Sequence, residues 1–197
     1  MHADSQAATR RISLAAGVLV LITSITSIAA YALFQPVLDD PAGYISGGGR
    51  DNHIYPGVAL ELLLVIANVG TAVVLFPVLK RQSETLSLGY VTARIVECTF
   101  IAVGIVAVLG IVSLGQDDPS AVSLAVSLAA LKDWTFLLGP GVIVGIGNGL
   151  ILGYLMYRSQ LVPRRMAVLG LAGGPLIVAS GMAVLFGVAE AGGTMQS

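Results

Sequence analysis

Residues 86–114 read LSLGYVTARIVECTFIAVGIVAVLGIVSL, and within that run only Arg94 and Glu97 are charged. A helix crossing roughly 30 Å of hydrocarbon needs about 20 mostly apolar residues. This run is longer than that and shows no strand-like alternation. Surrounded by lipid, its backbone must satisfy its hydrogen bonds internally, which a helix does. Four more runs of the same character lie at 12–34, 56–79, 134–157 and 166–189. Together they predict an all-α polytopic transmembrane helical bundle, with five transmembrane helices in a single membrane domain over 1–197. The first run is expected to stop before Pro36. The second starts at Pro56, a first helical position where the missing N–H costs nothing.

Composition agrees. Hydrophobic residues make up 56% of the chain and charged residues 11%, with a mean hydropathy of +0.90. A water-soluble domain carries about a quarter charged residues. The formal net charge is −1 and no basic block is present, which sets nucleic acid aside as a partner. The single cysteine, Cys98, excludes an intrachain disulfide and a Cys cluster. His2 and His53 have no neighbour at metal-ligand spacing, so no metal and no cofactor are expected.

Two segments invite other readings. Arg10 and Arg11 precede the first apolar run, and Ala30-Tyr31-Ala32 resembles a signal cleavage site. The run exceeds the usual signal core of about 7–15 residues, so a retained helix is expected. Between 119 and 131, Leu124, Leu128 and Leu131 share one helical face and Ser120, Ser123 and Ser127 another. This reads as a short interfacial helix, turned by Lys132-Asp133-Trp134 into the fourth crossing. A tilted sixth element dipping into the bundle is the competing reading.

Positive charge in short loops marks the cytoplasmic side. Arg10 and Arg11, Lys80 and Arg81, then Arg158, Arg164 and Arg165 fall on one side. The other side holds Asp39, Asp40, Arg50 and Asp51, then Asp117, Asp118, Lys132 and Asp133. The alternation predicts a multi-pass protein of the cell membrane, N-terminus cytoplasmic and C-terminus extracytoplasmic. Trp134, Tyr55 and Tyr157 fall at predicted boundaries.

The fourth helix carries Gly141, Gly145, Gly149 and Gly153, spaced by four. Such a face lets another helix approach closely where no hydrophobic force drives association. Its partner is expected within the chain; a homo-oligomer or a partner membrane protein is the alternative. Gly170, Gly173, Gly174 and Pro175 predict a kink or local unwinding of the fifth helix. Gly145-Ile146-Gly147-Asn148-Gly149 is no dinucleotide site, because no strand precedes it.

Ionisable groups inside the hydrocarbon are costly and are functional candidates by default. Arg94 and Glu97 are three apart on one helix and can pair. Asn68 falls near the depth of Glu97, and Asn148 near that of Arg94. These four form the candidate polar cluster. It is either a structural pair capped by two amides or the lining of a cavity for a small polar or headgroup-like ligand. Glu61 is placed nearer the outer end, exposed to a water-filled vestibule. Thr23, Ser24, Thr26 and Ser27 read as hydrogen-bonding glue between helices. No catalytic residues are assigned: no His accompanies a Ser or Cys. Glu61 and Glu97 are placed at different depths, although a deep cavity joining them would revive acid–base chemistry.

The segment Leu88-Gly89-Tyr90-Val91-Thr92-Ala93-Arg94-Ile95-Val96-Glu97 resembles the GY-x-x-x-R-x-x-E signature of the DUF4386 family of bacterial integral membrane proteins. Further similar blocks follow in family order. They are Asn68-Val69-Gly70-Thr71-Ala72 with Phe76-Pro77-Val78-Leu79-Lys80, then 133–141, then 157–165. The resemblance implies a bacterial inner-membrane location and no assigned activity, and it makes Arg94 and Glu97 part of a family motif.

Three functions follow as expectations. The first is an integral membrane protein that binds a small polar or lipid-like ligand at the Asn68, Arg94, Glu97 and Asn148 cluster, as a transport component. The second is a structural or accessory subunit. The third, disfavoured, is an intramembrane enzyme. Membrane lipids are the expected surroundings in every case. Five crossings divide poorly into inverted repeats, which weighs against a self-sufficient secondary transporter.

Overall fold

The computed structural model describes residues 2–47, 53–117, 120–159 and 162–188. The loop charges Arg50, Asp51 and Asp118, the Pro119 start of the expected interfacial helix, and the Ala189 end of the fifth helix lie outside the described residues.

All described secondary structure is helical. The order is α1 (His2–Asp39), α2 (Pro41–Ser46), α3 (Ile54–Leu79), α4 (Glu84–Asp117) and α5 (Val122–Phe136). Two π-helical stretches follow, π1 (Leu137–Ile143) and π2 (Gly145–Leu152), then α6 (Gly153–Ser159) and α7 (Arg164–Leu185). Among the described residues, five segments are long and apolar enough to cross a membrane: Arg10–Asp39, Ile54–Leu79, Glu84–Gln116, Val122–Ser159 and Arg164–Leu185. The chain folds as the expected helical bundle.

Successive spans run antiparallel. Gly57 of α3 meets Phe34 of α1, and Gly70 meets Leu19. Cys98 of α4 lies beside the Val65 carbonyl of α3. Gly104 of α4 packs on Lys132 and Thr135, and Ala93 lies against Gly147. α7 packs on π1, π2 and α6. The spans therefore form a curved row in chain order, with α7 at its end. Arg10, Arg11, Lys80, Arg81, Arg158, Arg164 and Arg165 all fall at the same end of the antiparallel spans, and Asp39 and Asp40 at the opposite end.

Two apolar cores fill the bundle. One joins Phe34, Val37, Ile45, Ile54, Leu64, Ile101, Ile105, Val108, Ile111, Ala125 and Ala129. The other joins Ala16, Ala72, Leu75, Leu79, Tyr90 and Leu155. On α3 and α4 the residues between them are Asn68, Arg94 and Glu97, so the polar groups occupy the seam between two packed layers.

Four expectations need correction. Pro36 does not end the first helix, which continues to Asp39 with Pro36 inside it. The chain turns at Asp40 instead. The Asp40 side chain accepts from Gly43 N (2.8 Å) and Pro41 opens α2. Gly43 leaves room for this cap, because a Cβ there would push the Asp40 carboxylate aside.

Second, there is no turn at Lys132-Asp133-Trp134. Residues 122–159 are one continuous helix. The expected interfacial piece is the first part of the fourth span, laid along α4. Its buried stripe is Ala125, Ala129, Lys132 and Thr135, whereas Leu124 and Leu131 face outward. Small side chains allow close helix approach, and large apolar ones are at ease in lipid. The expected serine face stays exposed at Ser123 and Ser127, while Leu128 is partly buried against Gly110.

Third, α7 is an uninterrupted helix with Pro175 inside it, so the glycines there cause no unwinding. The irregularity sits in the fourth span. The Val144 N–H reaches Gly139 O and the Gly153 N–H reaches Asn148 O, both five residues back. Pro140 supplies no N–H and its ring crowds the preceding turn. Glycines at 139, 141, 145, 147 and 149 leave few side chains to resist a wider turn.

Fourth, Gly141 is not part of the glycine face. Gly145, Gly149 and Gly153 meet α7 at Gly170, Leu171, Gly174 and Val178. A Cβ at Gly145 would sit 2.9 Å from Gly174 O, and one at Gly149 would run into Gly174 Cα. Gly141 leaves the face, and Val142 takes its place against Gly181.

Candidate functional site

A cavity of about 530 Å³ opens between α1, α3, α4 and the fourth span. α1 packs closely along α3. It meets the fourth span at the stacked Tyr31 and Phe136 rings, 5.5 Å between centroids. The concave side of the row is thus left as a hollow.

α3 contributes Glu61, Leu64, Asn68 and Thr71, one residue per turn on a single face. α4 contributes Tyr90, Arg94, Glu97 and Ile101 at the same helical spacing. The structure brings together Asn68, Arg94 and Glu97. Arg94 Nη1 donates to Glu97 Oε2 (2.7 Å), and Asn68 Nδ2 donates to Glu97 Oε1 (2.9 Å). Asn148 lines the same cavity from π2. Asn148 Oδ1 is buried without a hydrogen-bond partner, and Arg94 Nε and Tyr90 Oη are buried without a well-aligned one, although the guanidinium and the phenol are close enough to interact. Buried polar atoms are paired in the great majority of cases, so three around one hollow mark it out.

Glu61 is not in an exposed vestibule. It is 7% exposed, and Lys132 Nζ donates to both its oxygens, at 2.6 and 2.7 Å. Lys132 Nζ also sits 4.9 Å from the centre of the Phe34 ring. Gly104 makes room for the lysine stem, since a Cβ there would lie 2.9 Å from Lys132 Cδ. Sequence reasoning missed Lys132 by counting it as a loop charge. It also passed over Tyr90, although Tyr90, Arg94 and Glu97 fall at i, i+4 and i+7.

The hydroxyls of the first span are not glue between helices. Thr23 and Ser24 donate to Val20 O, Thr26 to Ile22 O, and Ser27 to Ser24 O. Thr23, Ser24 and Ser27 line the cavity. Their protons are used within α1, and their oxygens remain able to accept.

The cavity does join Glu61 to Glu97. Asn68, bonded to Glu97, is seven residues past Glu61 on α3, or about 10 Å along the helix. Neither carboxylate is a free base, because every oxygen of each accepts from a donor named above. Among the described residues, no three His, Cys, Asp or Glu side chains converge to hold a metal ion.

No curated protein and no solved structure matches the chain. A family model does, over residues 15–196, under the description "domain of unknown function (DUF4386)". That match takes in all five spans from Ala15 onward, including every residue lining the cavity. The chain, a multi-pass helical membrane protein, belongs to the DUF4386 family.

Proposed function

We propose that this protein binds a small polar or lipid-like ligand in the cavity between α1, α3, α4 and the fourth span, as a transport component of a bacterial inner membrane. The observation that carries the reading is a hollow of about 530 Å³ into whose wall Asn148 Oδ1 is buried unpartnered, beside Arg94 Nε and Tyr90 Oη that hold no well-aligned hydrogen bond. Small-molecule sites are concave, roughly 300–1,000 Å³, mostly apolar, with a few placed polar groups. The accessory-subunit reading is weaker, because α7 of the same chain occupies the glycine face offered for docking.

Native mass spectrometry of protein released from native membranes tests the proposal. A co-released species is expected on the wild type and lost from Arg94→Ala. Arg94→Ala also strips Glu97 of its counter-ion and endangers the fold. Asn148→Ala is therefore run beside it, since Asn148 Oδ1 holds no partner to lose. A wild type that flies with an empty cavity defeats the reading.

The basic end of the row is the cytoplasmic end in this proposal, which sets the N-terminus inside and the C-terminus outside. Lys132 no longer counts among the loop charges, and its removal leaves the opposite end more acidic.

A further inference from the structure

Three features of the cavity wall select a class of ligand. The first is charge. Arg94 and Glu97 pair at 2.7 Å and Lys132 and Glu61 at 2.6 Å, while Asp133 lies exposed at the rim. Each buried charge already has its opposite. A charged ligand would pull a pair apart and strand one member in a medium of low dielectric. A neutral ligand disturbs neither pair.

The second is the chemistry of these buried polar atoms. Arg94 Nε offers a donor, Asn148 Oδ1 an acceptor, and Tyr90 Oη either. A head bearing both a hydroxyl and a carbonyl answers all three. Thr23, Ser24 and Ser27 add acceptor oxygens across the cavity.

The third is where the cavity opens. Val20 and Ile28 line it, yet they are 46% and 71% exposed. Both lie well inside the span Arg10–Asp39 rather than at its ends, short of the point where Tyr31 stacks on Phe136. At that depth the surroundings are hydrocarbon. The mouth is therefore a slot in the side of the bundle, between α1 and the fourth span.

We infer that the cavity takes a neutral amphiphile, with hydroxyl and carbonyl oxygens in its head and a hydrocarbon tail, drawn sideways from the bilayer between α1 and the fourth span. The inference rests on the cavity being a binding site at all. The head sits among Tyr90, Arg94 and Asn148. The tail runs over Ile101 and Phe136 and leaves past Ile28.

The test uses the full chain in phosphatidylcholine nanodiscs and three probes: 1-monooleoylglycerol, oleate and glycerol. Bound species are counted by native mass spectrometry after release. Monooleoylglycerol is expected to stay bound, and oleate (same tail, charged head) and glycerol (neutral head, no tail) are not. Asn148→Ala and Tyr90→Phe each remove one hydrogen bond and should weaken retention roughly three- to tenfold. Ser27→Trp fills the slot and should abolish retention, with an unchanged melting temperature showing that the fold is intact. Retention of oleate at least equal to monooleoylglycerol overturns the neutral head, and retention of glycerol overturns the route from the bilayer. If no probe is retained but a co-released species disappears in Asn148→Ala, the ligand class is wrong while the binding reading stands. If the wild type carries neither, both fall.

Discussion

Lys132 stands 71 residues from Glu61 in the chain, yet the two form a buried ion pair. Removing one member of such a pair leaves an uncompensated charge, at a cost of about 3–5 kcal/mol, whereas replacing both with apolar groups is often neutral. Lys132→Met is therefore expected to lower the thermal unfolding midpoint in detergent sharply. Glu61→Leu combined with Lys132→Met should recover most of the loss. A double variant no better than the single one would deny the pair its structural role. At this scale the sequence was readable where partners are local. Arg94 and Glu97 are three apart, and helical spacing alone brings them together. Asn68 was legible from its depth. Lys132 was not, because its partner lies on another helix and its neighbours Asp133 and Trp134 look like a boundary. Glu61 was read as exposed because its partner went unseen: depth along a helix says nothing about what a side chain meets.

The five spans were legible because length and hydropathy determine them. The course of residues 122–131 was not. A face of leucines beside a face of serines suggests an interfacial helix, but here Ala125 and Ala129 turn inward while Ser123, Ser127, Leu124 and Leu131 all face outward. The glycines of the fourth span were legible as a packing face. Its extent was not: past Gly145 the face continues at Val142, three residues back, so Gly141 falls off it. The difference is measurable. A Cβ at Gly149 would run into Gly174 Cα, whereas one at Gly141 meets nothing closer than Phe136 O at 3.7 Å. Gly149→Ala should destabilise the protein by about 1–3 kcal/mol through overpacking. Gly141→Ala should be neutral or stabilising by up to about 1 kcal/mol, because glycine is a poor helix former. Unfolding of both variants in the same detergent checks the contrast. Equal losses would mean that Gly141 shares the interface.

Across the whole molecule the basic residues gather at one end. An alkaline phosphatase fused after Ser197 should be active and a fluorescent protein fused there dark, as for an extracytoplasmic C-terminus; the reverse pattern would invert the proposed orientation. The row arrangement has one more consequence. None of the described residues lining the cavity belongs to α7, which rests on the outer flank of the fourth span. The walls of the hollow therefore do not include the last helix. α7 acts as a clasp on their outer side, its glycines closing on Gly145 and Gly149 beside the wide turn that shapes one wall.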